Sequence, residues 1–215
     1  MALDTPGVVR APQQDRSRRA VRRLLDAAEE AFAELGYDRA SVRDIATRAG
    51  VPKGSLYQFF RNKEALLDAV VADLIDEVDR TFDDLAVVEL DPERTGRSAL
   101  ESMVDHVIGR ILELATRRPA FRTMFSGLAA ADPLADAGVR LRERYRSHIE
   151  GVLSTADPAP PVGYEQVSTV CTEMVRGLLP RIVDEHGSVD DQLAPELAFA
   201  VTSYLASVKA RTEAR

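Results

Sequence analysis

Histidine, cysteine and a phosphate-loop motif are the features that could give this chain metal or catalytic chemistry. The three histidines, His106, His148 and His186, lie on different segments without the ligand spacing of a metal site. His186, next to a glycine, is more simply a cation-capable residue at a helix C-terminus. Cys171 lies among apolar residues at helical spacing, which favours a buried side chain over a redox sensor. Residues 50–55 contain Lys-Gly-Ser, whereas a phosphate loop needs Gly-Lys-Ser after a strand. The sequence therefore predicts no metal, no cofactor and no enzyme activity.

The charge of the chain is divided between two parts. Residues 1–63 carry 12 lysines and arginines against 8 acidic residues, a balance of +4, whereas residues 64–215 carry 16 against 27, a balance of −11. The basic part contains a cluster of five arginines, Arg16, Arg18, Arg19, Arg22 and Arg23. A basic module on an acidic body is typical of a protein that meets phosphate with one end only. A cluster that merely solvates the first turns of a helix accounts for the same arginines equally well.

Apolar residues recur at helical spacing in the first third of the chain, which predicts four helices there. The first runs over 15–35, and Gly36 ends it because glycine adopts the left-handed conformation without strain. The second runs over 41–49, and Ser41 with Asp44 forms a capping-box pattern at its start.

A tight glycine turn joins the second helix to the third. Gly50 breaks the second helix, and Pro52 suits the first position of the third, at 52–60. Asn62 can cap the fourth, at 63–85. Two short helices joined by such a turn and braced by a longer helix form a helix-turn-helix unit.

The third helix has a polar surface that contains no acidic residue. Leu56, Phe59 and Phe60 form its apolar side, which we expect to pack inward. The surface that remains consists of hydrogen-bonding residues and a glycine that permits close approach: Lys53, Gly54, Ser55, Tyr57 and Gln58. A merely solvated helix usually mixes in Asp or Glu, so this composition favours insertion into the major groove of DNA over three small helices without a DNA role.

The run around these helices reads Ser41-Val42-Arg43-Asp44-Ile45-Ala46, then Ala49-Gly50-Val51-Pro52-Lys53-Gly54-Ser55-Leu56-Tyr57, then Phe60-Arg61-Asn62-Lys63-Glu64-Ala65-Leu66. It closely resembles the signature of TetR-family regulators, over about residues 16–66. The resemblance implies an all-helical homodimer, a palindromic operator in double-stranded DNA and release by a small molecule.

The same resemblance implies which residues meet DNA. By position, Lys53, Ser55, Tyr57 and Gln58 look like groove contacts, while Ser41 and Lys63 resemble contacts to the phosphate backbone. The full DNA-binding set is Ser41, Arg43, Lys53, Gly54, Ser55, Tyr57, Gln58 and Lys63. Gln58 can bond in bidentate fashion to adenine, but relatives vary at this position, so the base preference stays open.

The remaining two thirds of the chain again show helical periodicity and no convincing strand. We expect helices at 91–117, around 121–125, from Pro133, at 164–186 and from Pro195, with a proline-rich loop at 157–163. Pro180, inside the fourth of these, predicts a kink. No apolar run approaches the ~20 residues of a membrane span, and the single cysteine fits a reducing compartment, so a cytoplasmic location is expected.

Methionine, aromatic and other apolar residues of this second part could line an effector cavity or could simply fill the core, and the sequence favours neither. The candidate lining is Met103, Val107, Ile111, Phe121, Phe125, Tyr145, His148, Cys171 and Met174. Its composition predicts a hydrophobic or aromatic effector.

These patterns together predict an all-α protein of two domains. A disordered arm covers 1–14, the helix-turn-helix domain 15–62, and an effector-binding and dimerising domain 63–215, in which 63–85 is a connecting helix and the last two long helices pair with a second copy. One alternative is an enzyme or acyl-carrier-like binding protein with a basic head, which would need a polar catalytic cluster that is not visible. Another is a TetR-like activator or architectural DNA-binding protein without a pocket.

Overall fold

The computed structural model describes residues 15–85, 98–127, 133–154 and 163–213, and these residues form nine α-helices. The helices are α1 (Asp15–Arg39), α2 (Val42–Arg48), α3 (Lys53–Phe59), α4 (Lys63–Leu85), α5 (Ala99–Arg117), α6 (Pro119–Ser126), α7 (Pro133–Ser154), α8 (Tyr164–Ile182) and α9 (Leu193–Glu213). Outside them, the described residues contain one isolated antiparallel bridge, between Val183 and Val189. The prediction of an all-α fold is therefore confirmed. None of the described helices is long and apolar enough to cross a membrane.

Some predicted features lie outside the described residues. They are the arm at 1–14, the helix start at 91–92 and all but the last residue of the loop at 157–163.

Most local signals of the first third act as predicted, but α1 extends to Arg39, four residues past its predicted end. Gly36 has a φ of 75° and interrupts the helical conformation of α1, and Gly50 has a φ of 61° at the turn after α2. The Oδ1 of Asn62 accepts a hydrogen bond of 2.8 Å from the backbone N–H of Ala65, which caps α4. Pro52 lies one position earlier than predicted, as the residue that precedes α3.

The end of α8 differs from the prediction. The helix stops at Ile182, four residues early, because Val183 is extended and pairs with Val189. The carboxylate of Asp184 then accepts hydrogen bonds from the N–H groups of His186 and Ser188. His186 is consequently in an exposed turn, and its predicted place at a helix C-terminus is wrong.

The helix boundaries around prolines follow the sequence more closely. Pro119 is the first residue of α6, and Pro133 is the first residue of α7. Pro180 lies in the last turn of α8, and α9 begins at Leu193, two residues before the predicted start.

The described helices form two compact units. The first comprises the chain up to Asp76 together with 118–141, and in it α1 packs against α2 and α6. Its largest fully buried side chains include Leu24, Phe32, Ile45, Leu56, Phe60 and Phe121. These residues hold the two short helices α2 and α3 on α1.

The second unit comprises 77–117 and the chain from Arg142 onward. In it α9 packs against α5 and α8. The helices α4 and α7 each contribute residues to both units, whereas α5, α8 and α9 belong to the second alone.

Candidate nucleic-acid interface and apolar cavity

The start of α2 is fixed by a serine cap. The Oγ of Ser41 accepts a hydrogen bond of 3.1 Å from the N–H of Asp44 and donates one of 2.6 Å to the Oδ2 of the same residue. Because the hydroxyl proton is directed at Asp44, a phosphate contact from this hydroxyl would have to replace that bond. Arg43, in the first turn of α2, is exposed.

The outer face of α3 carries the predicted groove residues. Leu56 and Phe60 are fully buried and Phe59 is nearly so, which turns the opposite side of the helix outward. That side consists of exposed Lys53, Gly54, Tyr57 and Gln58 and half-buried Ser55. The ammonium group of Lys53 lies 5.9 Å from the centre of the Tyr57 ring, within the range of a cation–π contact.

Lys63, at the start of α4, has an internal role that the sequence did not reveal. Its Nζ donates hydrogen bonds to the carbonyl oxygens of Tyr37, at 2.7 Å, and Asp38, at 3.5 Å. It also lies 4.1 Å from the centre of the Tyr37 ring, which stacks on Phe32. An ammonium group has three protons, so one is left to point elsewhere. Lys63 therefore fastens the start of α4 to the end of α1 and can still donate to a phosphate.

The arginines near the N-terminus differ in whether they pair with acidic side chains. Arg22 forms ion pairs of 2.9 Å with Asp26 and with Asp73. Arg48 bonds to Glu34 at 2.8 Å and Glu30 at 3.4 Å. Of these two residues only Arg22 belongs to the five-arginine cluster, so one charge of that cluster is compensated within the protein. The other cluster members, Arg16, Arg18, Arg19 and Arg23, have exposed side chains.

A buried ion network joins α1, α4 and the start of α6. The Nε of Arg118 donates to the Oε2 of Glu29 at 2.7 Å, and its Nη2 donates to the Oδ2 of Asp73 at 2.8 Å. The side chains of Arg118 and Glu29 are 8% and 5% exposed, so neither charge is solvated by bulk water. Burial raises the pKa of Glu29, while the guanidinium of Arg118 opposes that rise. No sequence pattern indicated this network.

An apolar cavity of about 50 Å³ lies inside the second unit. Its walls come from α4, α5, α7, α8 and α9: Phe82, Met103, Val104, Val107, Ile108, Tyr145, Ile149, Val152, Leu153, Cys171, Val175, Val201 and Leu205. By this measure one water molecule needs roughly 10–15 Å³, so the space is present but small. A drug-sized ligand could enter only if the walls moved apart.

Four of the nine candidate lining residues border this cavity, namely Met103, Val107, Tyr145 and Cys171. The other five do not. Phe121 and Phe125 stack on each other at 5.1 Å in the core of the first unit. Ile111 is fully buried, and Met174 is half-buried. The sequence identified apolar stripes but could not tell which of their members border a void.

His148, the fifth, lies behind the cavity wall. Its ring stacks in parallel on Phe82, with 4.6 Å between the centres, and its Nε2 is 2.7 Å from the Oδ1 of Asp79. Arg144 donates two hydrogen bonds, of 2.6 and 2.9 Å, to the same carboxylate. Burial alone would raise the pKa of Asp79, but the hydrogen bonds from Arg144 and His148 outweigh it and lower the pKa.

This depressed pKa makes the fold sensitive to acid. A carboxylate whose pKa is lower in the folded than in the unfolded protein stabilises the fold at pH values above its unfolded pKa, here 3.8. This stabilisation is lost as the pH falls through the folded pKa. We expect Asp79→Asn to lower the free energy of unfolding at neutral pH and to flatten its decline between about pH 5 and 3. Urea unfolding across that range measures both effects. Asp191→Asn removes a carboxylate from an exposed position and serves as the control, and a pH profile of Asp79→Asn that matches the control's would contradict the prediction.

Cys171, in the cavity wall, is chemically quiet. Its side chain is 3% exposed, and burial raises the pKa of its thiol to about 12. The thiolate is the reactive form of cysteine, so this residue acts as a small apolar group, as predicted. Among the residues that the structure describes, no three His, Cys, Asp or Glu side chains converge as metal ligands.

Two family models match this chain. Residues 24–70 match the model described as bacterial regulatory proteins, tetR family, and residues 99–205 match the tetracyclin repressor-like C-terminal domain. The first match includes α2, α3 and the start of α4, and the second includes all of α5 and most of the cavity wall.

Curated relatives match over less than half of this chain. The HTH-type transcriptional repressor KstR2 of Rhodococcus jostii is 37% identical over 95 residues, which are 43% of this chain and 45% of that protein. The HTH-type transcriptional regulator TtgR of Pseudomonas putida is 35% identical over 100 residues, 44% of each chain. The matched segments thus span less than half of the length of these relatives.

Solved structures match over most of the chain. A TetR-family transcriptional regulator from Streptomyces coelicolor aligns with a TM-score of 0.58 and 27% identity, over 88% of this chain and 99% of that one. The regulator FadR from Bacillus subtilis, in complex with stearoyl-CoA, aligns with a TM-score of 0.62 over 85% of this chain and 98% of that one. At 16% identity, this likeness shows only a shared fold. With a matching N-terminal domain, a matching C-terminal domain and the same helical fold over most of its length, the chain belongs to the tetR family of bacterial regulatory proteins.

Proposed function

We propose that this protein is a ligand-responsive transcriptional repressor, which binds a palindromic operator as a homodimer and is released by a small, largely apolar effector. The observation that carries the DNA-binding part is the outer face of α3. That face exposes Lys53, Tyr57 and Gln58 and contains no carboxylate. Hydrogen-bond donors without acidic neighbours suit the base edges and phosphates of the major groove.

The starts of the flanking helices support the same function. Ser41 and Arg43 lie at the start of α2, and Lys63 lies at the start of α4. Helix N-termini and cations both attract phosphate, so these residues are proposed to contact the phosphate backbone of DNA on either side of α3. Two recognition helices about 34 Å apart in a dimer would then read successive half-sites.

The outer side of α9 supports the homodimer. Phe199 is 70% exposed, and Ser203, Ala206 and Ala210 continue its exposed stripe along the helix. On α8, Val170 is also exposed. An aromatic side chain in a row of small residues is suited to close packing against a symmetry-related helix. We therefore place the partner on the outer sides of α8 and α9, as a four-helix bundle.

The apolar cavity supports the effector. Its walls offer almost no polar atoms, which fits a hydrophobic ligand. Because its volume is only about 50 Å³, a ligand must spread the helices around it, and the spread form then binds that ligand better. We propose that α4, which supplies Phe82 to the cavity and begins at Lys63, passes this movement to the DNA-binding helices.

A salt series with operator DNA tests the DNA-binding role. We expect Lys63→Ala to weaken binding to every sequence and to flatten the logarithmic salt dependence by about 1 per half-site, because one phosphate contact is lost. We expect Gln58→Ala to relax the preference at one base pair per half-site, by about 1–3 kcal/mol. Fluorescence anisotropy with labelled duplexes measures both.

Two controls make this test specific. Lys209→Ala, in α9, removes the same charge from an exposed site and should leave the salt slope unchanged. Thermal unfolding of Lys63→Ala shows whether the loss of the hydrogen bonds to Tyr37 and Asp38 destabilises the domain and so contributes to the loss of DNA affinity. An unchanged affinity of Lys63→Ala across the salt series would exclude its phosphate contact.

A further inference from the structure

A polar groove of about 310 Å³ lies between α4 and α5, within the same unit as the apolar cavity. Its lining consists of Glu77, Arg80, Thr81, Arg110, Glu113, Leu114 and Arg117. Three guanidinium groups face two carboxylates here, so the groove is locally positive. This balance is unusual in the C-terminal part of the chain, where acidic residues outnumber basic ones by 27 to 16.

Two ion pairs lie inside the groove, and their arginine side chains are accessible to solvent. Arg110 bonds to Glu113 at 2.9 Å, and Arg117 bonds to Glu77 at 3.3 Å with a side chain that is 58% exposed. A solvent-accessible pair such as Arg110–Glu113 contributes little free energy in water. The guanidinium of Arg80 lines the same groove. Arginine presents a planar fork of donors that matches carboxylate and phosphate oxygens.

The groove and the cavity adjoin each other along two shared helices. On α4, Thr81 lines the groove, and the next residue, Phe82, lines the cavity. On α5, Val107 lines the cavity, and Arg110 lines the groove three residues later. Residues three apart are neighbours on the surface of a helix, with about 5–6 Å between their Cβ atoms, so the two sites adjoin along α5.

We propose that the effector is an apolar chain with an anionic head group, the chain in the cavity and the head among Arg80, Arg110 and Arg117. This proposal rests on the proposed effector function and names its chemical class. The cavity wall contains no cation and cannot hold a charged group, whereas the groove offers cations and little apolar surface. A carboxylate head and a phosphate head can both pair with the arginines of the groove. Either ligand would contact α4 at two nearby residues, with its chain at Phe82 and its head at Arg80.

A series of ligands with one chain and different heads tests the proposal. The full-length protein is titrated with decan-1-ol, decanoate, decyl phosphate and decanoyl-CoA below their micelle concentrations, by calorimetry and by operator anisotropy. We expect the anionic compounds to bind roughly 10- to 100-fold more tightly than the alcohol, the range of one or two charged hydrogen bonds. Whether decanoate or the phosphorylated compounds bind best distinguishes a free carboxylate from a phosphate-bearing carrier.

Matched variants assign the preference to the groove. Arg110→Gln should bring the affinity for decanoate or decyl phosphate close to that of decanol and leave decanol binding unchanged. Arg176→Gln is the control, because Arg110 and Arg176 both pair with a glutamate three residues away and both have side chains that are 38% exposed. Arg80→Gln should behave as Arg110→Gln does.

The outcomes separate this proposal from the proposed function. Equal binding of decanol and the anionic compounds, or equal behaviour of Arg110→Gln and Arg176→Gln, overturns the anionic head and leaves an apolar effector intact. If no compound of the series alters operator affinity, the effector function itself fails, and the head group fails with it.

Discussion

Replacement of Arg118 by alanine is expected to destabilise the protein by about 3–5 kcal/mol, as for other buried ion pairs that lose one partner. Arg118 bonds to Glu29 and Asp73 in a site where its side chain is 8% exposed. Asp73 keeps its ion pair with Arg22, but the carboxylate of Glu29 is left buried without its cation. Urea unfolding at neutral pH and constant protein concentration measures the loss.

The effect of Arg118→Ala should depend on pH. The pKa of Glu29 is already raised by burial, and removal of Arg118 takes away its main opposing influence. A carboxyl group whose pKa is higher in the folded than in the unfolded protein destabilises the fold at pH values above its unfolded pKa, here 4.5. This destabilisation disappears as the pH falls to the unfolded pKa. The cost of the variant should therefore shrink between about pH 7 and 5.

The adjacent arginine provides the control for Arg118→Ala. The side chain of Arg117 is 58% exposed, whereas that of Arg118 is 8% exposed, so Arg117→Ala removes a solvated cation and should cost much less than Arg118→Ala. Equal unfolding midpoints for the two variants would show that the buried network contributes no more than a surface pair. In the double variant Glu29→Gln with Arg118→Met, both charges are absent, and we expect much of the lost stability to return.

Replacement of Phe199 by arginine is expected to yield a folded monomer. The ring is 70% exposed in the protomer, so the substitution leaves the protomer core intact. A two-fold interface contains the residue twice, and at about 2 kcal/mol for each copy the dimer dissociation constant should rise roughly a thousandfold. Light scattering at micromolar concentration, together with circular dichroism, measures assembly and folding.

Two further variants, Leu205→Asp and Val139→Arg, serve as controls for Phe199→Arg. Leu205 is also on α9 but lines the cavity and is 8% exposed, so an aspartate there should unfold the protomer. Val139, on α7, is 44% exposed, and an arginine there should leave both folding and assembly unchanged. A wild-type monomer at micromolar concentration, or a dimeric Phe199→Arg, would exclude the proposed interface.

The sequence predicted those parts of the fold that depend on neighbouring residues. The caps at Ser41 and Asn62 form bonds across three residues. Gly36 and Gly50 adopt left-handed conformations that favour glycine, and Pro119 starts a helix where a missing N–H costs nothing. Such local rules also predicted which face of α3 is polar, because the helical period assigns Leu56 and Phe60 to the opposite side.

The sequence was less informative wherever an apolar stripe had more than one possible neighbour. On α9 the apolar residues Leu197, Val201 and Leu205 pack within the protomer, and Phe199 is outside. Apolar residues occur on nearly every side of this helix, so periodicity alone did not select the outward face. Phe121 and Phe125 were equally ambiguous, because an aromatic pair fits a core and a cavity wall alike.

By itself the sequence determined the helical fold, the helix-turn-helix head and the residues on its outer face, because each follows from contacts within one or two helical turns. Only the tertiary structure decided which residues border the cavity, that Lys63 bonds to Tyr37, and that Arg118 bonds to Glu29. The last two residues are 89 positions apart, and Lys63 and Tyr37 are 26 apart. Contacts over such separations arise only when packed helices bring distant segments together, and no local pattern of residue types encodes which segments will meet.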